Sequence, residues 1–127
     1  MEQRFLIDTN VVVDVLGNVM PANVKQKVLQ MLPVISAVTY METLGWYQAT
    51  PLQLRILQNF MDIATIIPIN QPVMETTVRI RQHKRIGLGD AIIAATAIIH
   101  NRILVTRNDY DFKSIYDLTV YNPWKPI

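Results

Sequence analysis

Apolar positions in this chain come as short unbroken runs separated by stretches that repeat every three to four residues, which predicts strands and helices in alternation. Phe5-Leu6-Ile7 meets Asp8-Thr9-Asn10, residue types that favour caps and turns, so a buried strand should feed a helix over Val11 to Leu16 that stops at Gly17-Asn18. Pro21 opens a second helix, with Val24, Val28 and Leu32 at four-residue spacing, and Pro33 closes it. Val34-Ile35-Ser36 reads as a second strand, followed by a helix over about Val38 to Tyr47. Thr50-Pro51 forms the cap and first position of an amphipathic helix whose apolar face is Leu52, Ile56, Leu57, Phe60 and Met61. Ile63 to Ile69 is a third strand, weakened at its end by Pro68. A helix from about Pro72 to His83 and the loop Ile86-Gly87-Leu88-Gly89 come next. Asp90 then begins the most apolar helix of the chain, AIIAATAII, which has no polar face and should be buried on nearly all sides. Ile103-Leu104-Val105 is a fourth strand, and Leu118 to Tyr121 a fifth at an edge.

Short apolar strands separated by helices define an α/β fold, a central parallel sheet of about five strands covered on both faces. A length of 127 residues suits a single domain over 1–127. In such folds the active crevice lies beyond the C-terminal ends of the strands. Asp8 and Asn108 fall at or just past such ends, and Glu42 and Asp90, near the starts of helices, open toward the same edge.

Composition makes those positions informative. Only 17% of residues are charged, against about 25% in an average soluble domain. Asp8, Glu42 and Asp90 nevertheless sit against FLID, VTYMETL and DAIIAATAII, where an unpaired buried charge is costly. Taken singly, Asp8 and Asp90 could serve as helix caps and Glu42 as a solvated helix residue. Gathered in one crevice, three carboxylates repel one another unless a cation neutralises them. The chain has no cysteine, and His83 and His100 are its only histidines, so the donors are hard oxygens and Mg²⁺ is the expected ion, with Mn²⁺ the alternative. Such an ion polarises a phosphoryl oxygen and acidifies a bound water, which points to phosphodiester hydrolysis.

The absence of cysteine suits a reducing interior, and no apolar stretch reaches the roughly 18 residues of a membrane helix, so a soluble, cytoplasmic protein is expected. Four glycines, none in a phosphate-binding arrangement, exclude a P-loop or a dinucleotide fingerprint. Asn10 stands where a haloacid-dehalogenase-like phosphatase would need a second Asp, and a receiver domain's acidic pair is missing.

LIDTN at 6–10, Glu42 within SAVTYMETLG, GLGDAIIAATA at 87–97 and ILVTRNDYDF at 103–112 together resemble the PIN-domain ribonucleases, in particular VapC-type toxins of toxin–antitoxin pairs. The resemblance spans nearly the whole chain. It implies an Mg²⁺-dependent endoribonuclease acting on tRNA, rRNA or mRNA, a homodimer, and an antitoxin protein that occludes the site. Asp8, Glu42 and Asp90 would be the metal-binding acids, supported by Thr9, Asn10 and Thr106. The fourth acidic position is open between Asn108, Asp109 and Asp111, with Asp111 favoured as the fourth catalytic acid. Asn108 also leaves room for a silent PIN domain acting as a binding module, or for an RNA-processing nuclease that is not a toxin.

Arg79, Arg81, Lys84 and Arg85 form the one basic cluster, within a net charge of only +2. It is either a solvated helix end or a patch that steers phosphates, with Arg107 a further candidate RNA contact. Trp46 and Tyr47 suit packing better than base stacking, and Met31, Met41, Met61 and Met74 need only be core filler. Asp14, Asp62, Glu75 and Asp117 fit no pattern and read as surface charges.

Overall fold

The short apolar runs become strands, and those in the middle of the layer bury both faces of the backbone ribbon. In a computed structural model, which describes residues 4–126, these are β1 (Phe5–Ile7), β2 (Val34–Ser36), β3 (Thr65–Ile67) and β4 (Ile103–Val105), with a two-residue β5 (Val120–Tyr121). The helices are α1 (Thr9–Leu16), α2 (Ala22–Leu29), α3 (Ala37–Leu44), α4 (Pro51–Ile63), α5 (Gln71–His83), α6 (Leu88–Ile99) and α7 (Asp109–Phe112). β1 pairs with β4, β4 with β5, and β2 with β3, all parallel, and β2 packs beside β1, so the order across the layer is β3-β2-β1-β4-β5. The hydrogen-bonded ladders stop between β1 and β2, splitting the layer into three-stranded and two-stranded parts.

Side chains alternate across this layer as strand geometry requires. Leu6, Leu104 and Val34 face a core completed by Val38 of α3, Val73 and Ile80 of α5, and the alanine-rich side of α6. Ile7, Val105 and Ile35 face the other way, onto Val11, Val12 and Val15 of α1, Val24 and Val28 of α2, and Met61 of α4. Helices therefore cover both faces of the sheet. The chain steps outward from β1 to β2 and β3, then crosses to β4 on the opposite side of β1. That reversal places a crevice past the C-terminal ends of β1 and β4.

Several predicted boundaries move. The helix expected to reach Tyr47 ends at Leu44, where Gly45 caps it, and Trp46 and Tyr47 lie in the following turn with Tyr47 exposed. A Cβ on Gly45 would lie 2.6 Å from the Met41 carbonyl oxygen, so the chain leaves the helix where only glycine fits. The strand expected over Ile63 to Ile69 shrinks to Thr65–Ile67, because α4 keeps its helical turn through Ile63. α6 starts at Leu88 rather than Asp90, so Asp90 sits in the third position of the first turn, facing the positive end of the helix dipole. Leu32 lies beyond α2 and is exposed, as are Met41 and Met74, so these three are not core. α7 was not anticipated, being a single turn within a polar segment.

Candidate active site

Asp8 is the hub of the crevice. It follows β1, caps α1, and is almost wholly buried. The Thr9 backbone N–H donates to its Oδ1 at 2.8 Å, and the Thr106 hydroxyl, from just past β4, donates to Oδ2 at 2.8 Å. Thr106 Oγ1 in turn accepts the Asn108 backbone N–H at 3.0 Å, tying the loop after β4 to the strand ends. Burial outweighs these hydrogen bonds, and with the repulsion of Asp90 and Glu42 it pushes the Asp8 carboxyl up from 3.8 to about 6.

Glu42 is held by a directed chain of hydroxyls. Thr9 Oγ1 donates to Glu42 Oε1 at 2.7 Å and lies 3.0 Å from Thr39 Oγ1. The single Thr9 proton is committed to Glu42, so Thr39 must donate to Thr9, and Ser36, 3.4 Å away, donates to Thr39. Ser36 is also the N-cap of α3, accepting the Thr39 N–H at 3.1 Å. The other carboxylate oxygen of Glu42 lies over the backbone at Gly89, where a Cβ would come within 3.0 Å of Oε2. Glycine at this position lets α3 bring its acid against the first turn of α6, beside Asp90. Ser36, Thr39 and Gly89 were missed as site residues, although the SAVT spacing of a helix cap was visible.

Asp90 is exposed at the mouth, and its carboxyl is raised by partial burial, then by Glu42, then by Asp111. Asp8 is therefore within electrostatic reach of Glu42 and Asp90, and Asp90 of Glu42 and Asp111. Asp109 points elsewhere: Lys125 Nζ at 2.8 Å and Asn122 Nδ2 at 3.3 Å hold it, which lowers its carboxyl. Asn10 and Asn108 are exposed, and neither side chain makes a hydrogen bond among the described residues. Arg107 is 3.9 Å from Asp14 and stacks over Trp124 at 5.1 Å, so Asp14 is not the isolated surface charge expected. Arg81 donates to the Ile86 carbonyl at 3.3 Å, Lys84 to Ser114 Oγ at 2.8 Å, and Arg85 is exposed.

Whether this donor set suits a divalent cation can be judged from its charges. Among the described residues the ion pairs are Arg107–Asp14 and Lys125–Asp109, so no basic side chain neutralises any of the four clustered acids. No three of the described acids or histidines stand close enough to form a ready-made ligand cage. The set thus fits a hard cation in chemistry and in unbalanced charge, and it would draw together on binding one. Thr9→Val removes the one donor to Glu42 Oε1 among the described residues without disturbing the backbone bond to Asp8. A lost hydrogen bond to a charged group is worth about 1.5–3 kcal/mol, so activity should fall roughly 10- to 100-fold and the melting temperature should drop by several degrees. Activity assays beside thermal melts check this, and an unchanged rate would discount the hydroxyl chain.

A parallel α/β layer with acids near its topological switch point defines the class of fold, and the family follows from comparison. The PIN-domain model matches residues 5–118, and the chain belongs to the PIN-domain family. Its fold is similar to a toxin–antitoxin complex from Klebsiella pneumoniae, at 33% identity and TM-score 0.76, over 95% of this chain and 98% of that one. It is also similar to FitAcB from Neisseria gonorrhoeae, at 28% identity and TM-score 0.76, over 94% and 98%. DNA-bound VapBC from Salmonella typhimurium shares the fold at 20% identity and TM-score 0.82, over 96% and 99%. No curated protein matches the sequence significantly.

Proposed function

We propose that this protein is an Mg²⁺-dependent endoribonuclease and the toxin of a toxin–antitoxin pair. The observation that carries the proposal is the convergence of Asp8, Glu42, Asp90 and Asp111, none paired with a basic side chain, at the strand ends. The toxin–antitoxin complexes among similar structures support the biological setting. Asp8, Glu42 and Asp90 would hold the ion, which when bound neutralises a phosphoryl oxygen and makes a coordinated water more acidic. Asp8 is fixed by Thr9 and Thr106, so its carboxylate needs no reordering during reaction. Asp111 lies at the open side and would accept the proton of the attacking water. Among the described residues no helix is long and apolar enough to cross a membrane, and we place the protein in the cytoplasm, where its RNA would be.

An apolar groove of about 480 Å³ between α1, α2 and α4 offers a seat for apolar side chains of an antitoxin. Met41, Met74 and Val78, each more than half exposed, leave surface on α3 and α5 for a second copy. The test incubates purified protein with tRNA and other structured RNAs, with Mg²⁺ or with EDTA. Cleavage only with Mg²⁺, and a growth defect on expression, are expected; intact RNA in both, with normal growth, would sink the proposal. A silent binding module is the second reading, favoured by the neutral, unbonded Asn108. It predicts that Asp8→Ala leaves every phenotype unchanged.

A further inference from the structure

On the side of α5 away from Met74 and Val78, a cavity of about 430 Å³ opens between α5, the C-terminal half of α6 and the segment joining α7 to β5. The catalytic chemistry described above makes no use of it. Its size falls in the range of small-ligand sites. Its floor is aliphatic, formed by Ile80, Ile98 and Ile115, and its outer wall is Tyr116, an aromatic side chain left 87% exposed. An apolar slot beside an exposed tyrosine suits a flat, heteroaromatic group.

The rim is cationic and braced. Arg79 reaches Thr76 Oγ1 at 3.0 Å, and Lys84 spans to Ser114 Oγ at 2.8 Å, each keeping donors to spare. His83 Nδ1 donates to the Arg79 carbonyl at 2.8 Å, which fixes the ring at the rim. The single acid of the lining, Asp117, sits in the left-handed region at φ 68°, a conformation a non-glycine residue rarely takes. Arg81 and Arg85 continue the positive charge past Lys84 along the outer side of α5. A phosphate chain would therefore find cations along the α5 rim of the slot, whereas a purely apolar ligand would leave them unused.

The cavity is also tied to the catalytic edge. Its wall begins at Ser114, three residues after Asp111, and three residues span at most about 10 Å. The distance suits a strand that threads from one to the other within a few nucleotides.

We propose that this cavity seats a nucleobase of single-stranded RNA a few nucleotides from the bond that is cut, with Arg79 and Lys84 holding the flanking phosphates. The assignment rests on the nuclease reading above. It makes the slot a subsite that selects unpaired RNA, since a base must leave its stack to enter.

The test pairs Arg79→Glu with Tyr116→Ala, both on exposed positions. Binding of a labelled single-stranded RNA of about 12 nucleotides is measured by anisotropy in an Asp8→Asn background that spares the RNA. Affinity should fall roughly tenfold or more, and abasic sites in the RNA should weaken binding to the parent but not to the double variant. In the active protein the same pair should slow RNA cleavage while hydrolysis of bis(p-nitrophenyl) phosphate stays unchanged. Unchanged affinity, or equal affinity for normal and abasic RNA, overturns the subsite. Failure of the unsubstituted protein to cut either substrate removes the nuclease reading instead, and the binding comparison still decides the subsite.

Discussion

Asp8→Asn is expected to melt about 5–10 °C higher than the parent protein at pH 7.5 in EDTA, and to cleave RNA at least about 10³-fold more slowly. Both effects have one cause. The Asp8 carboxyl has an ordinary value of 3.8 and rises to about 6 in the fold, so the folded chain holds this proton more tightly than the unfolded chain. Below pH 3.8 the group is protonated in both states and costs nothing. As pH climbs toward 6 the folded state must ionise a buried acid, and stability falls by about 3 kcal/mol before levelling off. Asparagine keeps the shape without the charge, so it escapes that loss. Its amide would still meet the Thr9 N–H and the Thr106 hydroxyl, which can turn to accept. Added Mg²⁺ should then raise the melting temperature of the parent and leave the variant unmoved. A variant that melts lower across pH 5 to 8, or still cuts RNA, would show that Asp8 is a structural cap and nothing more.

Strand positions were readable where a short apolar run stands between polar cap and turn residues, as in β1 and β4, a pattern that parallel sheets enforce by burying both faces. Boundaries were harder wherever tertiary packing overrode local preference. Ile63 is β-branched and follows an aspartate, yet it completes α4, and the strand begins only at Thr65, where Pro33 accepts its N–H at 2.8 Å. Glycines at 87 and 89 suggested a loop, but Gly89 lies in the first turn of α6, where its missing side chain makes room for Glu42. The acids of the site stood out by lying in apolar surroundings, whereas Ser36 and Thr39 did not. A buried hydroxyl on a helix is usually satisfied by a backbone carbonyl, as Thr43 and Thr96 are, and only the fold shows that Thr39 turns to Thr9 instead. Asp109 and Asp111 are two residues apart, and only the resemblance, not their local pattern, favoured Asp111. Lys125, sixteen residues on, separates their roles.

The second large effect concerns α7, the element that sequence patterns do not announce. Four residues make one turn, far below the length at which a helix holds itself, so α7 depends on what it buries. That is Phe112, 1% exposed, in the same core as Leu104, Ile80 and Ile115. Phe112→Ala should cost about 3–5 kcal/mol through lost burial and the cavity left behind. Phe112→Leu, closer in volume, should cost only about 1–1.5 kcal/mol. Urea unfolding of the two variants measures both figures. Asp111 is carried by the same turn, and Ser114 begins the cavity wall just after it, so loosening α7 disturbs the open side of the catalytic cluster before the domain unfolds. Under native conditions Phe112→Ala should lose RNA cleavage more steeply than its folded fraction declines, and Phe112→Leu should keep most of it. Parallel loss of fold and activity in the alanine variant would mean that α7 contributes stability alone, and that Asp111 needs no fixed position to act.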